Sequence, residues 1–434
     1  MKRRLIIYLA LLGLISPIYA QQVFVPINYI ALEKKIQKSN QEIADPKKGA
    51  DAKVWLKRGE IMLSAFDIDL EQTIEGMSTN NLQIFYPDPV VSTEDYDGKT
   101  YDLLSYERVK FYFENKTLAM YERTKSIYEN PLDEAYKSFI KVGELDKEGK
   151  YTEKLNLDLN KLKNQLKKDG INNYYRGNKE QALKSFELVL IINKLPVLKG
   201  EIDTIMIQYS GIIARELNHI DKSIEHYKEL ASVDHEPNTW LLLKEDYLKL
   251  KDTVNAINIM EKAFVKYPDT LNVIANLVDL YIRNNKIAEG LNTIEQALAK
   301  NPGKGELYYW KGRLELNSND SDRIEQALKS YDLAIVKNPN LYYVYYDRGF
   351  IFFLQGQDLF TRAGDEKDKK YREEMLAVGT EKYNLALPNL EKALELNNIN
   401  KEIKKETLDT LKRVYYKLQM MDKYEEVSQK IKDL

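Results

Sequence analysis

Residues 237–302 read PNTWLLLKEDYLKLKDTVNAINIMEKAFVKYPDT and then LNVIANLVDLYIRNNKIAEGLNTIEQALAKNP, and the two parts repeat one pattern. Each part has two consecutive segments with apolar residues three or four positions apart, followed by a proline. The residues that share these offsets are Trp240, Leu243, Tyr247, Ala256, Met260, Ala263 and Pro268 in the first part and Ile274, Leu277, Tyr281, Gly290, Ile294, Ala297 and Pro302 in the second. Because this spacing places side chains on one face of a helix, each part predicts two helices joined by a turn.

The repeated unit resembles the tetratricopeptide repeat (TPR), which has a period of about 34 residues and the pattern W-x2-L-G-x2-Y…A-x3-F…P. This resemblance implies a mainly α fold, a TPR α-solenoid in which helical hairpins form a right-handed superhelix. A single hairpin cannot bury its own apolar stripe, so neighbouring hairpins must cover it. We expect the small residues Ala256 and Gly290 to let the second helix of each hairpin approach the first closely.

The same offsets recur throughout residues 150–404, which we interpret as a TPR array. The predicted units lie near 163–196, 204–236, 237–270, 271–304, 305–341 and 342–400. In the last of these the gap between Gly349 and Ala386 is too long for a TPR, and the extra residues 356–380 are charged and helix-forming, which predicts a helical insertion. Residues 405–434 are polar on their outer face, as a C-terminal capping repeat must be.

Residues 52–149 predict a first TPR-like hairpin that is interrupted. Ala52–Leu63 has the offsets of a first TPR helix and Pro131–Leu145 those of a second, so we expect these segments to pack together across a small α+β insert at about 65–130. Within the insert, Asp97-Gly98 and Asn115-Lys116 separate alternating β-branched and aromatic residues, which predicts two β-hairpins. Residues 21–51 are interpreted as an N-terminal helix and turn.

The order G-M-S, Y-P-D-P, D-G-K and F-E-N-K-T-L within the insert resembles the small αβ domain of outer-membrane assembly lipoproteins of the SmpA/OmlA kind. The alternative is an unrelated insert of three or four strands.

The first twenty residues, MKRRLIIYLALLGLISPIYA, predict a cleavable signal peptide. A basic start, a short apolar run and Ala20 before Gln21 are typical of one, and the apolar run is too short to span a bilayer. No cysteine is present for a disulfide or a lipid anchor. We therefore expect a periplasmic protein without a transmembrane span after cleavage, and a secreted or surface-attached protein is the alternative.

Composition and motifs argue against nucleic-acid binding and catalysis. Lysine and arginine number 65 and aspartate and glutamate 67, so no basic excess is available to neutralise phosphates. No nucleophile elbow, zinc-protease motif or phosphate-binding glycine loop occurs, and we predict no catalytic residue and no cofactor. The alternative is an enzyme whose site uses Glu94, Asp95 and Asp97 of the insert, although acidic residues beside a turn are expected for conformational reasons alone.

The three histidines, His219, His226 and His235, lie within one repeat. His219 falls in a predicted turn and His235 in a loop, and neither cysteine nor further histidine completes a ligand set. We therefore interpret the histidines as solvated surface residues and predict no metal site.

The excess of tyrosine, 31 residues, points to protein binding. Counting from the unit starts, Tyr309, Arg313, Tyr343, Tyr346 and Phe350 fall at groove-facing positions of adjacent first helices, where aromatic area and a cation suit an extended peptide. The alternative is that most of these tyrosines pack inside or between repeats.

Other TPR proteins hold a partner's C-terminal carboxylate with lysine, asparagine and arginine. Here Lys167 lies at one such position, but Ile171 and Tyr209 replace the asparagines, so that mode is not expected. The function predicted is an exported scaffold that binds a protein or peptide partner in its concave groove. A tyrosine-rich groove that binds peptidoglycan or another glycan is the competing hypothesis.

Overall fold

This computed structural model describes residues 28–74, 76–233, 236–397 and 400–433. The predicted signal peptide, residues 1–20, lies outside the described residues. The chain forms two compact units, Met1–His219 and Ile220–Leu434, which are described in turn.

The first unit contains seven described α-helices and one sheet. Its helices are α1 (Tyr29–Ala44), α2 (Ala52–Asp67), α3 (Thr79–Phe85), α4 (Pro131–Leu145), α5 (Thr152–Tyr175), α6 (Lys179–Asn193) and α7 (Thr204–Glu216). Its strands are β1 (Val90–Tyr96), β2 (Lys99–Ser105), β3 (Val109–Glu114) and β4 (Thr117–Arg123). Helix α2 begins where the Asp51 carboxylate accepts a hydrogen bond from the Lys53 amide, and α4 begins with Pro131, whose fixed φ suits a first turn.

Helices α2 and α4 pack against each other although the insert separates them in the chain. A Cβ atom built on Gly59 of α2 would lie 2.2 Å from the Phe139 ring of α4, so only glycine permits this approach. The buried Arg58 guanidinium forms a 2.5 Å ion pair with Glu134 across the same interface. The predicted pairing of Ala52–Leu63 with Pro131–Leu145 is therefore confirmed.

The insert folds as helix α3 on a four-stranded antiparallel sheet with the order β1-β2-β3-β4. Asp97 and Gly98 have φ of 49° and 74°, and Asn115 and Lys116 have φ of 52° and 63°. Two consecutive positive φ values are those of the tight turn that matches the twist of paired strands. Both predicted hairpins are confirmed.

Side chains of α5 hold the outer strand β4. The Asn172 side chain accepts a hydrogen bond from the Tyr121 amide (2.8 Å) and donates one to the Tyr121 carbonyl (3.1 Å). On the other side of the insert the buried Asp69 carboxylate pairs with Arg108 at 3.2 Å and accepts a hydrogen bond from Tyr29 of α1 at 2.9 Å. These polar contacts fix the insert to the helices around it.

The described secondary-structure elements of the second unit are all α-helices. Its helices are α8 (Ile220–Ser232), α9 (Pro237–Lys249), α10 (Thr253–Lys266), α11 (Leu271–Arg283), α12 (Ile287–Lys300), α13 (Gly305–Leu316), α14 (Arg323–Lys337), α15 (Tyr342–Asp365), α16 (Lys369–Leu396), α17 (Lys401–Lys417) and α18 (Met421–Lys432). From α9 onward they pack as consecutive pairs, and each pair packs on the next. The expected fold class, mainly α with TPR helix pairs and a small α+β insert, is confirmed.

The expected role of Gly290 was wrong in one respect. A Cβ atom built there would lie 2.4 Å from Leu314 of α13, so the tightest approach at Gly290 is to the next pair and not to its own partner helix. In the pairs α13–α14 and α15–α16 a close approach is made by a glycine of the first helix. At Gly312, for example, a Cβ atom would lie 2.5 Å from the Tyr331 ring.

Helices α15 and α16 are longer than the other helices of this unit, with 24 and 28 residues. Their extra length includes the predicted insertion 356–380. Gly356 lies against Tyr383, and a Cβ atom on Gly379 would lie 2.7 Å from Phe360, so the two helices stay in close contact along the insertion. Among the described helices, none is long and apolar enough to cross a membrane.

Candidate partner-binding site

A cleft of about 760 Å³ lies beside the long helix pair α15–α16. Its volume is within the range of 300–1,000 Å³ that is usual for ligand pockets. One wall is α15, the other is α17, and Tyr383 of α16 and Tyr424 of α18 complete the lining. We call it the α17 cleft.

The α17 wall carries most of the charge. Its lining residues are Asp409, Lys412, Arg413, Tyr416 and Lys417. They are three or four positions apart and therefore share one face of the helix. Arg413, Tyr416 and Lys417 are exposed, and 52% of the Tyr416 side-chain surface is accessible.

The α15 wall is supplied largely by the helical insertion. Gln357, Phe360, Thr361 and Gly364 lie within residues 356–380 and line the cleft together with Phe353. Without the insertion, α15 would end before most of these positions. The extra length of the α15–α16 pair thus supplies most of one wall of the cleft.

The cations of the cleft lack acidic partners. Within the described chain none of Lys412, Arg413 and Lys417 forms an ion pair, and Asp409 is the one acidic residue in the lining. The Lys412 and Lys417 ammonium groups lie 5.2 and 5.0 Å from the ring centroids of Tyr424 and Phe360, which is cation–π distance. These contacts orient the ammonium groups without neutralising them.

Two other exposed lysines of this unit do have such partners. Lys329 lies 2.7 Å from Glu325 and Lys430 lies 2.8 Å from Glu426, one helical turn away in each case. The α17 cleft therefore combines aromatic surface with cations that form no ion pair within the described chain.

A row of aromatic rings connects the cleft with two of the sequence-predicted site residues. Tyr346 stacks on Phe350 with centroids 5.8 Å apart, and Phe350 stacks on Phe353 at 5.9 Å. Phe353 and Phe360 both contact Tyr383, at 6.0 and 5.3 Å. Both Tyr346 and Phe350 are half-buried, and the Tyr346 hydroxyl donates a hydrogen bond to Glu406 of α17 at 3.2 Å.

The other three predicted site residues belong to a separate group, which we call the Tyr309 cluster. It comprises Tyr309, Arg313, Tyr331, Tyr343 and Asp347. Only 8% of the Tyr309 side-chain surface is accessible, and its ring lies 4.5 Å from that of Tyr343 and 5.9 Å from that of Tyr331. The structure thus divides the five predicted residues between a packed cluster and the edge of the α17 cleft.

The Asp347 carboxyl lies near enough to Arg313 in the Tyr309 cluster for the two charges to interact. Burial raises the pKa of this carboxyl to about 6, while the Arg313 cation and a hydrogen bond from Tyr309 act in the opposite direction. The Arg313 guanidinium also lies 5.3 Å from the Trp310 ring centroid. Arg313 forms no ion pair within the described residues, but its charge acts on the Asp347 carboxyl and lowers its pKa.

Sequence reasoning did not identify the α17 cleft. The relevant signal was the spacing of Lys412, Arg413, Tyr416 and Lys417, which places three cations and a tyrosine on one face of a predicted helix. That face was interpreted as the solvated outer surface of a capping repeat. The position of the α15–α16 extension beside it could not be read from the spacing.

The first unit contains Lys167, Ile171 and Tyr209, which correspond to the positions where some TPR proteins bind a C-terminal carboxylate. Lys167 forms a 2.7 Å ion pair with Asp203. Ile171 and Tyr209 line a small apolar groove together with the exposed Tyr175. These side chains present an apolar surface.

The expectation that the histidines are solvated surface residues was wrong for one of them. His219 lies in the turn between α7 and α8, 3.4 Å from a Glu180 oxygen. His226 is buried, contrary to the expectation of a solvated residue, because it shares the inward face of α8 with Ser223 and Leu230. His235 lies outside the described residues. In the described part of the chain no group of three metal-binding side chains occurs.

The acidic residues of the insert make local contacts. The Asp95 carboxylate accepts a hydrogen bond from Thr100 at 2.5 Å, and Glu94 lies 3.4 Å from the Tyr112 hydroxyl. Asp97 has the positive φ of a turn residue. Their arrangement is that of a strand and its turn.

Comparison with known proteins gives structural matches alone, since no family model and no curated protein matches the chain. A TPR protein from Parabacteroides merdae is 15% identical, with a TM-score of 0.34 over 57% of this chain and 98% of that one. One from Bacteroides fragilis is 16% identical, with a TM-score of 0.31 over 57% and 97%. YrrB, described as a TPR protein with an unusual peptide-binding site, is 15% identical, with a TM-score of 0.29 over 46% and 92%. Similarities of this size do not bear on the function.

Proposed function

We propose that the protein is an exported, non-enzymatic scaffold of the bacterial cell envelope, and that it binds a segment of a protein partner in the α17 cleft. The observation that carries this proposal is the cleft itself, where exposed aromatic rings and unpaired cations line one concave surface. Tyrosine and arginine in such surroundings supply most of the binding energy at many protein interfaces. The walls of the cleft are α-helices, so little backbone ordering is required on binding.

The rest of the aromatic row extends this surface. Tyr346 and Phe350 keep part of their rings accessible, and they lie next to Phe353 at the cleft edge. We propose that a bound segment runs from the cleft along these two residues. We propose that Tyr309, Arg313 and Tyr343 also contact the bound segment. The variant Arg313→Ala tests this part of the proposal.

Export is proposed from the pattern of residues 1–20, and it places the protein in the periplasm. The absence of cysteine from the whole chain means that the fold needs no oxidant in that compartment. The resemblance of the insert to the SmpA/OmlA domain supports a location in the envelope. Cell fractionation with mass spectrometry of the purified N-terminus tests this part of the proposal, and an intact Met1 in a cytoplasmic fraction would contradict it.

Site-specific photo-crosslinking in the producing bacterium tests the binding site. The photoreactive residue p-benzoylphenylalanine replaces Tyr416 in the cleft, and in a control it replaces Tyr371, which is 58% exposed and does not line the cleft. We expect a protein adduct of defined mass from position 416 and none from position 371. Equal adducts from both positions would contradict the proposal. An adduct that muramidase removes would favour the competing glycan-binding function.

A further inference from the structure

We infer that the segment bound in the α17 cleft is an acidic peptide that also carries a large apolar or aromatic side chain. This inference rests on the proposed function, because it specifies the chemistry of the partner that the cleft holds.

The charge of the cleft selects for an anionic ligand. Its lining has three cations and one carboxylate, and the three cations are without ion-pair partners among the described residues. Two of them, Arg413 and Lys417, are exposed to solvent at the mouth of the cleft. A carboxylate that enters can accept charge-assisted hydrogen bonds without displacing an existing ion pair, so the arrangement favours Asp or Glu side chains.

The rings of the cleft select for an apolar neighbour of that anion. The Lys417 ammonium lies 5.0 Å from the Phe360 ring centroid, and the Lys412 ammonium lies 5.2 Å from that of Tyr424. Tyr416 lies between these two lysines in the sequence of α17, and about half of its surface is accessible. The Tyr416 and Tyr424 rings lie 5.9 Å apart. An aromatic or aliphatic side chain can pack on these rings while an adjacent carboxylate reaches Arg413 or Lys417.

A peptide fits these features better than a nucleic acid. Binding of single-stranded nucleic acid requires a basic groove that follows several phosphates, with stacking of successive bases. Here the cations are confined to two turns of α17, and the whole chain carries a net charge of −2. An acidic peptide needs only a few carboxylates near one helix face.

Fluorescence anisotropy with the full chain and two defined peptides tests the inference. One fluorescein-labelled peptide repeats Glu-Phe-Ser, and its neutral twin has Gln in place of Glu. The test variant is Arg413→Gln/Lys417→Gln. The control is Lys329→Gln, which removes an exposed lysine outside the cleft whose partner is Glu325. Circular dichroism establishes that every variant is folded.

We expect the wild-type chain to bind the Glu peptide at least about tenfold more tightly than the Gln twin, since hydrogen bonds to charged groups typically contribute that much. The preference should decrease with added salt, disappear in the double variant and persist in Lys329→Gln. Equal affinity for both peptides, a preference that survives the double variant, or binding of neither peptide would overturn the inference.

Two further results separate this inference from the proposed function. If both peptides bind equally and Tyr416→Ala abolishes that binding, the cleft is a peptide site without acid specificity, so the proposed function stands and the inference fails. If unlabelled oligothymidylate displaces the Glu peptide at lower concentration than the unlabelled peptide does, the ligand is a nucleic acid and the inference fails.

Discussion

The second unit contains two groups of aromatic and cationic side chains that have similar composition and different surroundings. In the Tyr309 cluster the rings bury one another, and Arg313 has Asp347 beside it. In the α17 cleft Tyr416 is half exposed, and Lys412, Arg413 and Lys417 have no ion pair in the part of the chain that the structure describes. Exposure, and not residue type, distinguishes the surface proposed for binding from the packed cluster.

Truncation of one tyrosine from each group should show the largest difference. Tyr309→Ala should lower the free energy of unfolding by about 3–5 kcal/mol, the cost of removing a buried aromatic side chain. Tyr416→Ala, at an exposed position, should change it by less than about 0.5 kcal/mol. Equilibrium unfolding in urea measures both. Equal losses would contradict the distinction between the two groups.

Asp347 should make stability depend on pH. Burial raises the pKa of its carboxyl in the folded state from 3.8 to about 6. The protonated form is therefore favoured by folding, and the stabilisation is complete below about pH 4 and is lost as the pH rises through 6. Relative to Asp347→Asn, the wild-type free energy of unfolding should fall by about 1–3 kcal/mol between pH 4 and 7.

Urea titrations of both proteins across this pH range measure the effect. Asp358→Asn is a suitable control, because Asp358 is exposed and pairs with Arg362 in the same helix. A constant difference between wild type and Asp347→Asn at every pH would show that the Asp347 carboxyl is solvated in the folded chain.

The two arginines allow a direct comparison of binding. Arg413→Ala should weaken partner capture by more than about 1 kcal/mol and leave the free energy of unfolding unchanged, because Arg413 is exposed and unpaired. Arg313→Ala should lower stability, since it removes the cation beside Asp347. The sequence-based proposal expects Arg313→Ala to weaken capture without affecting folding. Calorimetric titration with the partner identified by crosslinking, together with urea unfolding of both variants, decides between these outcomes.

Tyr346 should show the smallest effects. Tyr346→Phe removes a single hydrogen bond to Glu406 at the surface and should cost about 0.5–1 kcal/mol of stability without changing capture. Tyr346→Ala also removes the stacking on Phe350 and should weaken capture by more than about 1 kcal/mol. If the phenylalanine variant loses capture as fully as the alanine variant, the hydroxyl and not the ring makes the contact.

Much of the fold could be predicted because its determinants are local. The helical spacing is visible around Tyr247 and Tyr281, and the turns are marked by Asp97-Gly98 and Asn115-Lys116. The two halves of one TPR pattern, around Gly59 and around Phe139, predicted the pairing of α2 with α4, because neither segment has another partner nearby in the sequence.

The site was harder to predict because it depends on how helices are placed. The offsets of Tyr309 and Tyr346 within their repeats are equivalent, yet Tyr309 is enclosed by Tyr331 and Tyr343 while Tyr346 remains half-buried at the cleft edge. Arg413 and Lys417 line the α17 cleft because the α15–α16 extension lies beside α17. Neither relation is encoded in the spacing of a single repeat.

Hydrogen–deuterium exchange of the full chain, free and with the partner identified by crosslinking, shows where that partner binds. Binding in the α17 cleft should protect the peptides spanning residues 353–364 and 409–417 and leave those of α13 and of the β-sheet unchanged. Protection confined to residues 305–313, or to the insert at 66–130, would contradict it and place the partner elsewhere.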